Sequence, residues 1–415
     1  MAKYNFEGDY SSFNDRQLNF INKVVNEQDL KVKKVVFHQL GQAGDNFMGN
    51  VKRINIEGEN GNMNMIIKIA PSNEVARQTY QSGLMFRNEH VVYTKVLPKF
   101  VQLQKAAGVP PEEQLKYAKC YGSLSEEPNE VIILEDLSES GFSMMDKFKS
   151  LPDNYVRNFL KSFAVLHSLS YALKSQEPAF YKQLKEDLKD PWSSFGDFQI
   201  QMLKDTMEAG FLEIIQNEDH KNLLKNKITD GILERKKMIE SENDRNHTII
   251  QHGDGWTNNI LFKLEDDKLQ SVMFDYQGAN NNNPMSDILF MIFHCTDHEA
   301  RSKHFHDWID YYHSEMDKFL SYFGLKVNEF YTRDQIDADL KKYAKIILGI
   351  VLLMINVIQR DSSEAGKLKD SMKNMENEAD IADTMNTLDL QSGTVERINK
   401  KVGDLIETLH QFDLF

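Results

Sequence analysis

Cysteine is scarce in this chain: Cys120 and Cys295 are the only two. They stand far apart, so they supply neither a disulfide framework nor a paired CxxC metal site, which fits a reducing compartment. A positive charge excess is also missing, since 63 acidic against 49 basic side chains leave a formal net charge of -14. That field disfavours nucleic acid or an anionic membrane as the main partner. Long apolar runs are absent too. The most apolar one, Ile346 to Ile358, is too short to span a bilayer and reads as a buried helix. The opening MAKYNFEGDY lacks a basic-then-apolar signal pattern, and the expectation is a cytoplasmic protein. Disorder is not indicated, because 41% of the residues are hydrophobic and 27% charged. A chain of 415 residues is long enough for two lobes.

The pattern along the chain changes character near residue 137. Before it, a helix over Ser11 to Val25 precedes strands at Val32 to Leu40, Asn50 to Glu57 and Met63 to Ala70. A helical stretch from Phe86 to Val101 follows, then a short strand at Val131 to Leu134. Beyond it helical periodicity dominates: Tyr155 to Leu173, Ser194 to Gly210, His220 to Ser241, Asp287 to Phe293, Glu299 to Phe323, Arg333 to Ile358 and Thr394 to His410. The polar stretch Ser362 to Ser392 has little periodicity and reads as a mobile loop. This is an α+β pattern of the protein-kinase-like, two-lobed kind. A small antiparallel-sheet N-lobe is expected over 1–137 and a large, mostly helical C-lobe over 138–415.

The richest stretch is IIQHGDGWTNNILFKLEDDKLQSVMFDYQ, residues 249–277. Asp254 follows an apolar pair, Asn259 stands five residues on, and Asp275 closes a second apolar run. Phosphoryl transfer from a magnesium nucleotide asks for those groups in that order. One carboxylate accepts the hydroxyl proton, while an amide oxygen and a second carboxylate are hard ligands for the metal. The competing reading is a turn whose polar side chains only satisfy the backbone.

Lys68, alone in an apolar strand, is the candidate for the nucleotide phosphates, with Glu89 or Glu74 as its carboxylate partner. Gly44 and Asn46, in a glycine-rich stretch from Gly41 to Gly49, are candidates to cover those phosphates. Glu135, Asp136 and Leu137 would form a hinge presenting backbone groups to adenine. His252 and Asp287 are candidates to brace the catalytic loop, and His167 reads as a packed core histidine. Trp192, Phe195, Trp256 and Tyr276 are candidate walls of an acceptor pocket, each also explicable as core. A crowd of His294, Cys295, Asp297, His298, His304 and His306 raises a zinc site as a rival, without an HExxH to support it.

With these residues in hand, the sequence resembles the ecdysteroid-kinase-like family, which is related to choline kinases and aminoglycoside phosphotransferases. The resemblance rests on IIKIAP at Ile66 to Pro71, FRNEHVVYTKVLP at Phe86 to Pro98, LEDL at Leu134 to Leu137, HGDGWTNNILF at His252 to Phe262 and FDYQG at Phe274 to Gly278. It implies ATP- and Mg²⁺-dependent phosphorylation of a hydroxyl on a small molecule, an ecdysteroid in the best-known members. It favours Glu89 over Glu74 and puts the histidine-rich stretch on an ordinary helix. Gly255 stands where a bulkier residue is usual, and Tyr276 where Phe is common. Kinases for other small alcohols, choline-like or foreign, and an idle ligand-binding relative remain the alternatives.

Overall fold

The computed structural model describes residues 4–41, 50–242, 246–374, 376 and 390–415. The N-terminal part comprises β1 (Phe6–Gly8), α1 (Asp15–Asn26), β2 (Val32–Gln39), β3 (Asn50–Gly58), β4 (Gly61–Ile69), α2 (Glu74–Thr79), α3 (Ser82–Val91), α4 (Leu97–Ala106), β5 (Cys120–Leu124) and β6 (Val131–Glu135). Its six strands form one sheet in the order β1-β2-β3-β4-β6-β5, antiparallel except for the β1–β2 pair. Alternation along the strands fixes what each face carries. Met65, Ile67 and Ile69 of β4 pack with Val35, Phe37, Ile54, Ile56, Val131 and Ile133 under Ile21, Val24 and Val25 of α1. Lys68, between two of those inward residues, is turned to the opposite face. Because β4 lies between β3 and β6, Lys68 is on a central strand and not an edge one.

The rest is largely helical: α5 (Asp153–Gln176), α6 (Pro178–Asp187), α7 (Asp197–Met202), α8 (Ala209–Ile214), α9 (Glu218–Leu224), α10 (Lys227–Glu242), then β7 (Ile249–Gln251), β8 (Ile260–Glu265), β9 (Lys268–Met273) and β10 (Asn280–Asn282), followed by α11 (Pro284–Cys295), α12 (His298–Leu320), α13 (Arg333–Ile358), α14 (Ser362–Lys373) and α15 (Ser392–Gln411). A single apolar core runs from α4 and β6 through α5, α11, α12 and α13 to α15.

Three expectations need correction. The helix expected from His220 to Ser241 is two helices, broken at Asn226, whose φ of 65° is left-handed. The stretch from Ser194 starts later, at Asp197, and passes through a π-helical segment, Leu203–Glu208, before α8. The loop expected over Ser362 to Ser392 opens instead with α14. Its signals were present: Asp361 and Glu364 form a capping box. Ala365 and Leu368, one turn apart, are fully buried, and Glu364 also takes the Thr394 hydroxyl of α15.

Candidate active site

Two nested ladders gather the polar residues. The hairpin of β8 and β9 pairs Ile260 with Met273, so Asn259 and Asp275 meet at its open end, and the Phe274 amide donates to Asn259 O at 3.1 Å. Outside it, β7 and β10 pair Gln251 with Asn280 and close the loops that carry Asp254 and Asp275. These loops touch: a Cβ on Gly253, at φ 81°, would lie 2.0 Å from Gly278 O, so only glycine fits. Gly255 has a local reason too, since the Phe163 ring fills the space a Cβ would need.

His252 locks the loop. Its Nε2 donates to Phe274 O at 2.9 Å while its Nδ1 faces the Asp254 amide at 3.3 Å, which selects the neutral Nε2–H tautomer. Burial depresses its pKa in the same sense. Asp287 accepts the His252 amide and the Gly253 amide, both at 2.8 Å, and His167 Nε2 at 3.1 Å. His167 in turn holds Tyr312 Oη at 2.7 Å, so this core histidine orients the brace.

Across the cleft, Lys68 Nζ donates to Glu89 Oε2 of α3 at 2.7 Å, to Asp275 Oδ1 at 2.5 Å and to Gln277 Oε1 at 3.3 Å. Glu74, whose carboxylate instead accepts from Gln78, is not its partner. Asp275 holds φ 61°, a strained backbone position of the kind concentrated at functional sites. Asn259 Nδ2 donates to Asp254 O at 2.8 Å and Oδ2 at 2.9 Å, which turns the amide oxygen away from Asp254.

One ammonium serves several carboxylates. Burial depresses the Lys68 pKa, but Asp275 and Glu89 outweigh it and hold the ammonium above its ordinary value. Glu89, fully buried, is pushed up to about 7 by burial and by Asp275, against the pull of Lys68. Asp254 is raised well above the usual carboxylate range by burial and by Asp275, opposed by the Asn259 and Gln277 amides. Lys68 bonds two carboxylates, with Asp254 close enough to feel Asp275, and the side-chain oxygens of Asn259 and Asp275 are hard donors of the kind a divalent cation takes.

Glu89 offers a stability test. Its folded pKa exceeds the unfolded one, so between about 4.5 and 7 the native state holds more protons and stability falls as pH rises. Glu89→Gln removes that term. In metal-free protein its thermal midpoint should gain on wild type from pH 5 to pH 8. A gap that stays constant with pH would count against the buried carboxylate as described.

A cavity of about 1190 Å³, counted with the solvent at its mouth, opens onto Asp254 and Gln277. Trp192, Phe195, Met202, Leu353, Met354 and Phe290 are among its walls, and among the described residues that line it Asp254 alone carries a charge. Trp256 and Tyr276 do not line it. Trp256 is buried in the helical core, and Tyr276 packs edge-on to Tyr93 and against His252.

Gly44 and Asn46 lie outside the described residues. At the expected hinge, the Glu135 amide donates to Lys119 O at 2.8 Å, its carboxylate accepts the Lys119 amide, and Asp136 accepts Arg53 Nε at 2.6 Å. Leu137 is buried. The histidine-rich stretch is dispersed: His294 is buried against Phe290, His298 meets Thr408 and His304 stacks on Trp308. Among the described residues no three His, Cys, Asp or Glu side chains gather to hold a metal. Sequence reasoning passed over Gln277, which bridges Lys68 and Asp254, although it was in view beside Asp275.

The fold and this site define a two-lobed, protein-kinase-like chain of the small-molecule kinase class. A model of the ecdysteroid kinase-like family matches residues 43–325, and the chain belongs to that family. Among solved structures it is similar to the Plasmodium vivax ethanolamine kinase, at 14% identity, a TM-score of 0.41 and coverage of 95% of this chain and 87% of that one. It is also similar to a spectinomycin phosphotransferase in complex with ADP and spectinomycin (11%, 0.43, 92% and 97%) and to a microcompartment-associated aminopropanol kinase (10%, 0.43, 96% and 99%). No curated protein matches the chain.

Proposed function

We propose that this protein transfers the γ-phosphoryl group of ATP to a hydroxyl on an apolar molecule of steroid-like size. The observation that carries this reading is the apolar cavity of about 1190 Å³ opening onto Asp254. We take the lobe boundary to follow Leu137, so that nucleotide enters between the sheet and the helices. Lys68, held by Glu89, binds the phosphates. Asn259 and Asp275 hold Mg²⁺, which supplies positive charge to the transferring phosphoryl group when bound. Asp254 orients the acceptor hydroxyl and takes its proton as the oxygen–phosphorus bond forms and ADP leaves. Placement in the cytoplasm follows from the same reading, since ATP is the donor.

The walls bear on the acceptor. A choline-like cation is served best by carboxylates beyond the catalytic base or by aromatic faces arranged as a cage; Asp254 is the only acid among the described lining residues, so only the aromatics Tyr80, Trp192, Phe195 and Phe290 could serve it. Met85, Met202, Met207 and Met354 make the wall adaptable, an observation that favours foreign hydroxylated compounds as a second acceptor group.

The direct test is labelled-ATP transfer to ecdysteroids, other sterols, choline and hydroxylated xenobiotics. Transfer to the apolar acceptors is expected; transfer to choline alone would reject the acceptor assignment. Trp192→Ala should raise the KM for an apolar acceptor about tenfold, the worth of one large apolar contact, with little change in kcat or in the KM for ATP. An equal loss for ATP would show that Trp192 acts on the fold and not on the acceptor.

A further inference from the structure

A small annex adjoins the acceptor cavity, about 210 Å³ counted with its mouth, and shares Trp192, Gly253, Phe290 and Ile350 with it. Unlike the cavity, it holds polar side chains without partners among the described residues. Gln251, 1% exposed, has neither amide atom hydrogen-bonded, and Ser286, 2% exposed, has a free hydroxyl. Buried amides and hydroxyls are seldom left so, because each gave up hydration on folding. The annex's charged residues are already paired. Arg235 donates to both oxygens of Asp190, and Asp287 is taken up by His252, Gly253 and His167. What remains is a neutral donor and acceptor set, suited to a hydroxyl or keto oxygen and not to an anion.

Its position sets where that oxygen must lie. Gly253 borders both spaces and is followed directly by Asp254. We infer that Gln251 and Ser286 form a polar subsite for a second, uncharged oxygen of the acceptor, on the same end of the molecule as the hydroxyl that is phosphorylated. The acceptor class is thereby narrowed to apolar molecules carrying a diol or hydroxyketone. This inference rests on the kinase reading for its chemistry but not for its binding. Sites that hydrogen-bond a substrate oxygen reject the analogue lacking it far more strongly than apolar pockets reject a missing methylene.

The test compares two steroid-sized ligands, a vicinal diol and the mono-ol lacking the second oxygen. Binding is read by tryptophan fluorescence, for which Trp192 stands at both spaces, and phosphoryl transfer is read with labelled ATP. Wild type, Gln251→Leu and Ser286→Ala are compared at matched thermal stability, and the small Ser286→Ala change serves if the larger one fails to fold. Wild type should favour the diol at least tenfold in Kd, with the preference cut to about threefold or less in the variants. A preference unchanged in a folded variant, or none in wild type, would overturn the subsite and leave the annex to a resident water. Loss of the preference in the variants without any transfer by wild type would uphold the subsite and sink the kinase. Binding of neither ligand would sink both.

Discussion

Asp254→Asn should lower phosphoryl transfer by about three orders of magnitude while the protein stays folded and binds nucleotide. The substitution removes the charge and the proton affinity but keeps the side chain's shape. The amide that replaces the carboxylate can still accept from Asn259, whose nitrogen bonds both the Asp254 backbone and side chain. General-base contributions are typically about 10² to 10⁴ in rate. The thermal midpoint should hold or rise, because burial and Asp275 already disfavour charge at Asp254. Transfer retained within tenfold of wild type would remove Asp254 from the chemistry.

Much of the site was legible because its spacing is local. Asp254, Asn259 and Asp275 belong to one hairpin and the loops at its base, so their separation in sequence becomes proximity once Ile260 pairs with Met273. Lys68 was legible by alternation: a lysine between inward-facing Ile67 and Ile69 must face the other way, and strand order then puts it at the sheet's centre. Of the cavity's walls only Trp192 and Phe195 were in view in the sequence. The others, among them Met202, Phe290 and positions on α13 and α14, are brought together by tertiary packing with no shared motif. Nearness to the motif was also misleading for Trp256 and Tyr276, because adjacency along the chain does not say which side of a turn is buried. Gln251 reads as one more polar residue beside a catalytic motif until its burial without a partner is seen.

Asp287→Ala should destabilise the protein by about 3–5 kcal/mol, because three buried donors lose their acceptor at about 1–3 kcal/mol each. Expectation from sequence alone was modest, since an aspartate near the start of a helix is common. The cap of α11, however, is Asn283, whose side chain accepts the Met285 amide. That leaves Asp287 free to hold two consecutive amides of the loop before Asp254, and His167. Its loss strands those donors in the core beside Gly253 and releases the segment that aims Asp254. Both denaturant stability and kcat/KM should therefore fall, whereas a mere cap would cost about 1 kcal/mol and spare the rate. The pH dependence separates the readings further. Burial alone would raise the Asp287 pKa, but the His167 bond and charge, His252 and the Gly253 amide outweigh it and hold it below the ordinary value. Its contribution is complete above the unfolded carboxylate pKa and is lost as pH falls through the depressed one. The stability gap between wild type and Asp287→Asn should thus be widest near neutrality and close on acidification. A gap unchanged down to pH 3 would mean that the carboxylate's charge does not hold the loop.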